Sequence, residues 1–296
     1  MTLDTHAESS PATTDVARPR IMVAVDGGAA SRAALRWTAE RAGQSGAVVR
    51  LVTVVDKKAT EQVASTLNHA LLGSRIVMET IAENSDIDTV LRRGDAAHEL
   101  VETAAEFGAE LLVIGTHATA RYERSTLGTV PGRLASTAHC PVVVVPVDWM
   151  PVSGPVVVGW SNDGASAAAV EFAVSDARAH DDEVVLAHVW DLPTTGQIPV
   201  SPGGPESIPD RQKRFLENTA AEVARSWPRL LVRAELLHGR PVEQLKEAAA
   251  HARVLVVGRR ARTSVSRLVL GSVSRGLLSA PPCPVVIMPT PAVAVS

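Results

Sequence analysis

The sequence is poor in aromatic residues, in cysteine and in long apolar runs, and each of these deficits excludes a class of protein. Aromatic residues make up 3% of the 296 positions, too few for an extended surface on which nucleic-acid bases could stack. Two cysteines cannot form a disulfide framework, which indicates a reducing compartment. The longest apolar stretches, such as Val142–Val145, have the length of a strand and fall far short of the ~20 residues that cross a bilayer. We therefore expect a soluble, cytoplasmic protein without a membrane span.

The charge balance is close to neutral. The chain has 29 Lys and Arg against 32 Asp and Glu, a net charge of −3, so a nucleic-acid backbone is a poor candidate partner. Residues 1–19 are polar and lack the apolar run of a signal peptide, and we expect them to form a disordered arm. Hydrophobic residues make up 46% of the chain, which is ordinary for globular domains, and the length suits two of them.

The chain contains an internal repeat. The segment Leu111–Pro146 aligns with Val254–Pro289, and Val23–Ser31 aligns with Val158–Ser166. Within the first alignment, three pairs share one offset of 143 residues: Gly115 with Gly258, Gly128 with Gly271, and Cys140 with Cys283. Two glycines and a cysteine in one register indicate a tandem duplication.

The repeat also sets the domain boundaries. The upstream segments are offset by 135 residues, so the second copy has about eight extra residues, most of which we assign to a Pro- and Gly-rich surface loop at Leu192–Asp210. We predict one domain over residues 20–148 and a second over residues 154–290.

Each copy alternates short apolar runs with helical patterns. Runs typical of strands buried on both faces of a parallel sheet occur at Ile21–Val25, Val48–Val55, Leu111–Ile114 and Val142–Val145, with a weaker one near Ile87–Leu91. Between them, Ala96–Phe107 has the periodicity of a helix, Ser31 is placed to cap one, and Pro241 is placed to begin one in the second copy. This order predicts an α/β fold of two tandem doubly wound domains, each with a five-stranded parallel sheet flanked by helices.

Glycines follow the strands at which such sheets bind ligands. Asp26-Gly27-Gly28 follows the first strand, Gly115 follows the fourth, and Gly128-Thr129 opens the helix before the last strand. Ligands of doubly wound sheets bind where the carboxyl ends of the first and fourth strands meet. A helix N-terminus with a hydroxyl residue suits a phosphate, and a carboxylate at a strand end can accept a hydrogen bond from a ribose or a base. The pattern therefore indicates a nucleotide.

Taken together, these blocks resemble the universal stress protein family in its tandem-domain, actinobacterial form. The ATP-binding members carry the pattern G-x2-G-x9-G-[S/T] after the fourth strand, and both copies match its spacing, with alanine in place of the second glycine. The matching positions are Gly115, Ala118 and Gly128-Thr129 in the first copy and Gly258, Ala261 and Gly271-Ser272 in the second. The resemblance implies a Rossmann-like, adenine nucleotide alpha hydrolase-like fold. It also implies binding of ATP with or without Mg2+, a regulatory role in stress response and growth adaptation, and a homodimer. In the family the last strands of two domains associate across a two-fold axis, which a tandem protein can achieve within one chain.

The resemblance carries over unevenly to the two copies. Asp26 fills the family's nucleoside-contacting position in the first copy, whereas Ser161 stands there in the second. The phosphate-contacting turn is intact at Ser272-Val273-Ser274, but Thr129-Val130-Pro131 contains a proline, which donates no N–H. We therefore expect the first copy to bind an adenine nucleotide more readily. The implied site residues are Ala24, Val25, Asp26, Val54, Gly115, Ala118, Arg121, Gly128, Thr129 and Val130 in the first copy, and Val189, Gly258, Ala261, Gly271, Ser272, Val273 and Ser274 in the second.

Several of these residues also suit structural roles. Gly115 fits a plain strand-to-helix turn, and Asp26 fits an acceptor at a helix N-terminus. Arg121 and Arg259 lie in loops where they would either grip phosphates or face solvent.

The function classes that stay open are a nucleotide-dependent switch, a nucleotide-free interaction scaffold and a slow ATPase. The sequence offers no catalytic residue and no metal-ligand spacing, and Cys140 and Cys283 suit buried structural thiols. A regulatory protein partner is expected but unidentified, and the ligand could be ATP, AMP or a cyclic nucleotide.

Overall fold

The structure of the chain is a computed structural model that describes residues 18–117, 129–161, 166–191, 208–259 and 270–290. The first copy contains β1 (Arg20–Ala24), α1 (Ala29–Ser45), β2 (Val48–Val55), α2 (Glu61–Ile81), β3 (Asp86–Arg93), α3 (Ala96–Phe107), β4 (Leu111–Thr116), α4 (Val130–Thr137) and β5 (Val142–Pro146). The second contains β6 (Val156–Gly159), α5 (Ser166–His180), β7 (Val184–Trp190), α6 (Ile208–Ser226), β8 (Val232–His238), α7 (Pro241–Ala248), β9 (Val254–Gly258), α8 (Ser272–Ser279) and β10 (Val285–Met288).

The strands of both copies join in one sheet. Its order is β3-β2-β1-β4-β5-β10-β9-β6-β7-β8, and all neighbours are parallel except β5 and β10, which pair antiparallel. Each copy thus forms a five-stranded parallel sheet, as predicted, and the strand order reverses at the first strand of each copy, β1 or β6. The predicted association of the two last strands is also confirmed, and it occurs within the chain.

Helices cover both faces of the sheet, which explains the nearly continuous apolar strands. Successive residues of β5 alternate between two buried clusters: Val143 and Val145 belong to the cluster that includes residues of α1 and α5, while Val142 and Val144 belong to the cluster that includes residues of α3, α4, α7 and α8. A strand buried on both faces gains from an apolar residue at every position, so it shows no alternation with polar residues.

The helix starts are set by local hydrogen bonds. Helix α3 begins after Asp95, whose side chain accepts from the His98 N–H at 3.0 Å. The predicted cap at Ser31 is wrong, because the N-cap of α1 is Gly28, three residues earlier, and the Ser31 hydroxyl donates to the Gly28 carbonyl at 3.1 Å. Pro241 is the first residue of α7, as predicted.

The chain outside the regular elements is partly described. Most of the predicted arm and of the Leu192–Asp210 loop lies outside the described residues, but Arg18 binds the Asn84 carbonyl at 3.1 Å and pairs with Asp86, and Ile208–Asp210 belong to α6. In the part of the chain that the structure describes, no helix has the length and apolar character needed to cross a membrane.

Candidate functional site

The first copy has a cavity of about 280 Å³ where β1 and β4 end. This is the place at which doubly wound sheets bind ligands. The predicted residues that line it are Ala24, Val25, Asp26, Val54, Gly115 and Val130, and the lining that the sequence did not predict includes Leu100, Thr116 and His117. The walls are mainly apolar, with the carboxylate of Asp26 at the rim.

Asp26 is exposed and also stabilises the turn into α1. Its Oδ1 accepts a hydrogen bond from the Gly28 N–H at 2.8 Å. The structural role considered from the sequence is therefore present. It leaves Oδ2 available to a ligand, so the two roles are compatible.

Gly115 allows α1 to approach the end of β4. A Cβ at this position would lie 2.0 Å from the carbonyl oxygen of Ala30 and 2.9 Å from the amide nitrogen of Ser31. Because Ala30 and Ser31 line the cavity too, the glycine fixes the shape of the cavity by bringing the first turn of α1 against the strand.

The N-terminus of α4 faces the same cavity. Thr129 is its N-cap, and its hydroxyl accepts from the Gly132 N–H at 3.4 Å, while Val130 and Pro131 line the cavity. Arg133 in the first turns of α4 donates to both carboxylate oxygens of Asp95 at 2.8 and 2.6 Å, which lowers the pKa of Asp95 to about 2. This ion pair links α4 to the start of α3.

The second copy has a smaller cavity, of about 180 Å³, at the matching place. The predicted residues that line it are Val189, Gly258, Gly271, Ser272, Val273 and Ser274, and Ser161 occupies the position of Asp26. The second cavity therefore presents a hydroxyl where the first presents a carboxylate.

The second cavity is also lined by two bulky residues that the sequence did not indicate. Trp160 and His188 line the second cavity at the positions of Val25 and Thr53, and their rings meet edge to face at 5.5 Å. Both copies have a contact between the second strand and the carbonyl at the end of the first strand. In the first copy the Thr53 hydroxyl donates to the Val25 carbonyl at 2.6 Å, and in the second His188 Nδ1 lies 2.9 Å from the Trp160 carbonyl. The 135-residue offset, extended along β7, would have revealed this difference.

Arg259 does not face either cavity. Its guanidinium donates to the carbonyls of Ala135, Ser136 and Ala138, at 3.3, 2.8 and 3.3 Å, and thus caps the C-terminal end of α4 in the other copy. The prediction that Arg259 grips phosphates or faces solvent is therefore wrong. Burial lowers the pKa of Arg259 from its usual value.

Four of the predicted site residues lie outside the described part of the chain: Ala118, Arg121, Gly128 and Ala261. The other thirteen line one of the two cavities or, in the case of Thr129, cap the helix beside one. The two cavities sit at equivalent places in the repeat but differ in charge and volume.

The comparisons with known proteins agree with this architecture. The Universal stress protein family pattern matches residues 18–146 and 154–289. A universal stress protein of Mycobacterium tuberculosis (strain ATCC 25618 / H37Rv) is 26% identical, covering 92% of this chain and 95% of the relative, and one of Mycolicibacterium smegmatis is 28% identical, covering 90% and 96%.

Solved structures share the fold. The crystal structure of a universal stress protein from Archaeoglobus fulgidus DSM 4304 has a TM-score of 0.71 at 14% identity, covering 93% of this chain and 99% of that one. A putative universal stress protein from Pseudomonas aeruginosa UCBPP-PA14 has a TM-score of 0.67 at 18% identity, covering 92% and 94%. The two family matches together span most of the sequence, and the chain therefore belongs to the universal stress protein family, with two domains of that family in tandem.

Proposed function

We propose that this protein binds an adenine nucleotide, ATP with or without Mg2+, and acts as a regulatory switch in stress response and growth adaptation. The observation that carries the proposal is the cavity at the ends of β1 and β4, which combines apolar walls, one carboxylate and a helix N-terminus. Each of these features matches a different part of a nucleotide.

The residues of the first cavity suit the three parts of the ligand. Val25 and Val54 provide apolar surface for a base. Asp26 can accept hydrogen bonds from ribose hydroxyls through Oδ2. The N–H groups at the start of α4, beside the Thr129 hydroxyl, suit phosphate oxygens, although Pro131 contributes no N–H to that set.

The first cavity should fill before the second. The second cavity is smaller, has Ser161 in place of the carboxylate and is lined by Trp160 and His188, whereas its Ser272-Val273-Ser274 turn keeps every backbone N–H. A cavity of about 280 Å³ is near the lower end of ligand pockets and one of about 180 Å³ is below it. We therefore propose that the first domain is the principal nucleotide site.

A switch also requires that the ligand bind two conformations with different affinity. Residues of both β4 and the first turn of α4 line the first cavity, so a bound nucleotide would contact both elements. Pairing of chains into a homodimer, a regulatory protein partner and a cytoplasmic location belong to the same proposal and rest on the family resemblance.

The proposal is tested by equilibrium binding of Mg-ATP to the purified chain and to two matched variants. Asp26→Ala should weaken binding about 10- to 100-fold, the usual effect of losing a hydrogen bond to a charged group. Ser161→Ala, at the equivalent position, should change the affinity of the first domain by less than threefold. An Asp26→Ala variant that is folded and binds as tightly as the parent would contradict the proposed site.

The same samples separate the rival functions. Formation of more than one equivalent of ADP per chain would support the slow ATPase, and absence of binding at millimolar ATP would support the nucleotide-free scaffold.

A further inference from the structure

The seam between the two domains does not by itself determine which domains pair. Strands β5 and β10 meet antiparallel, with Val143 opposite Val286 and Val144 opposite Val285, and both strands are almost entirely aliphatic. A strand with this composition would pair equally well with a second copy of itself. Any preference for joining domain one to domain two must come from side chains beside the seam.

An ion pair lies beside the seam between equivalent positions of the repeat. Arg41 on α1 pairs with Asp176 on α5, and these positions are separated by 135 residues, the offset of the repeat. The guanidinium of Arg41 also lies over two rings, 5.7 Å from the centre of Trp37 and 5.0 Å from that of Phe172, which are equivalent to each other by the same offset. The two domains thus meet at one shared position, occupied by a cation in one and an anion in the other.

This ion pair is largely buried. The side chain of Asp176 is 3% exposed and that of Arg41 is 22% exposed. Burial, with the nearby Arg253 cation, lowers the pKa of Arg41 to about 10, so the guanidinium stays charged at neutral pH. A buried ion pair is costly to break, because removing one partner leaves the other charge without compensation.

A second ion pair also joins the two domains, and its two residues have side chains of different charge at the equivalent positions of the other copy. Arg253, just before β9, donates to Glu40 of α1 at 2.9 Å and lies 3.3 Å from Asp182. The residue of the first copy that is equivalent to Arg253 is Glu110. The Arg253 N–H donates to the carbonyl of Pro155, just before β6, and the Glu110 N–H donates to the carbonyl of Arg20, at the start of β1. The equivalent of Glu40 is Ser175.

The opposite flank of the seam therefore lacks the second pair. Glu110 and Ser175 line a cavity of about 430 Å³, together with Arg41 and His180. On one side of the seam the Glu40–Arg253 ion pair joins the two domains, and on the other side the equivalent place is this open cavity.

We propose that these two charge pairs make the domain surface accept the unlike domain and reject the like one. Pairing of domain one with a second domain one would bring two copies of Arg41 together and place Glu40 against Glu110. Pairing of domain two with a second domain two would bring two copies of Asp176 together. The cations Arg41 and Arg253 and the anions Glu40, Asp176 and Asp182 face this region, with His180 beside them, and only the unlike pairing sets each of the two cations against an anion of the other domain. The partner that fits this surface of domain one is domain two.

The test uses the full chain and charge reversals of the shared position. Arg41→Asp and Asp176→Arg each place like charges at the seam and should lower Tm by about 5–15 °C, and the double exchange Arg41→Asp/Asp176→Arg should recover most of that loss. Arg75→Asp, a reversal on the exposed face of α2, is the matched control and should change Tm by less than about 2 °C.

The dependence of pairing on these charges is then measured between chains. The two single variants, one labelled with 15N, are refolded together from urea and weighed by native mass spectrometry. We expect dimers containing one chain of each variant to exceed either like dimer by more than tenfold, since only mixed chains restore opposite charges at both seams. A statistical mixture, in which mixed dimers are only twice as abundant as either like dimer, or no dimers at all, would overturn the proposal even if the single variants lose stability. Single variants with the Tm of the parent would overturn it as well.

Discussion

Replacement of Gly115 by alanine should destabilise the first domain, since its added methyl group would meet backbone rather than a movable side chain. The new Cβ would lie 2.0 Å from the Ala30 carbonyl oxygen, whereas ordinary van der Waals contact begins at 3.4 Å, so the first turn of α1 must move by about 1 Å or more. Overpacking of this kind costs about 1–3 kcal/mol and sometimes more, and we expect about 3 kcal/mol because the helix is held by its buried face. At ordinary slopes this lowers the urea midpoint by roughly 1–2 M.

The matched control is Gly73→Ala on α2. A Cβ at Gly73 meets nothing within 4 Å, and alanine in a helix interior is more stable than glycine by about 0.5–1 kcal/mol. The two variants add the same methyl group and should shift the urea midpoint in opposite directions. If Gly115→Ala unfolded at the midpoint of the parent or above it, the close approach of α1 to β4 would be wrong, and with it the shape of the first cavity.

Three further predictions concern buried and half-buried groups. Burial raises the pKa of Cys140 to about 11 and that of Cys283 to about 12. Neither thiol should therefore react with Ellman's reagent at pH 8 in the folded protein, and both should react in guanidinium. Reaction of the folded protein would contradict their burial. Burial, with the nearby Arg253 and Arg41 cations, lowers the pKa of His180, so the unfolded chain takes up a proton first as pH falls below about 6.5. The Tm of the parent should therefore fall between pH 7 and pH 5, and that of His180→Gln should fall less steeply. Equal slopes of Tm against pH in the two proteins would refute the assignment. Arg259→Ala should lower the free energy of unfolding by roughly 1.5–3 kcal/mol through loss of the contacts with the α4 carbonyls. A loss of ATP affinity at unchanged Tm would instead show that Arg259 binds phosphate.

The fold could be predicted because its signals are local and occur twice. The strand runs are continuous in apolar residues since both faces of the sheet are covered, and two copies in one register remove chance matches. The same repeat located both cavities, since ligand position in such sheets follows from strand order. The start of α1 differs from the prediction because Asp26 accepts a hydrogen bond from the Gly28 N–H and turns the chain before Ser31 is reached.

Contacts between the two copies could not be predicted. The position of Arg259 in a glycine-flanked loop suggested phosphate binding, but its partners are carbonyls more than 100 residues away in the chain. The pairing of Arg41 with Asp176 likewise depends on how α1 and α5 meet beside the β5–β10 seam. Such long-range partners have no pattern in the sequence, although the offset of the repeat identifies the pair once the seam is known.

The central claim is that the first domain holds an adenine nucleotide, and native mass spectrometry of the freshly purified chain tests it most directly. The parent should carry one nucleotide per chain, identified as an adenine nucleotide after denaturation, and Asp26→Ala should carry none. Two per chain would show that Ser161, Trp160 and His188 do not prevent binding in the second domain. No nucleotide in the parent, with no uptake at millimolar ATP, would contradict the account and leave the tandem fold as an interaction scaffold.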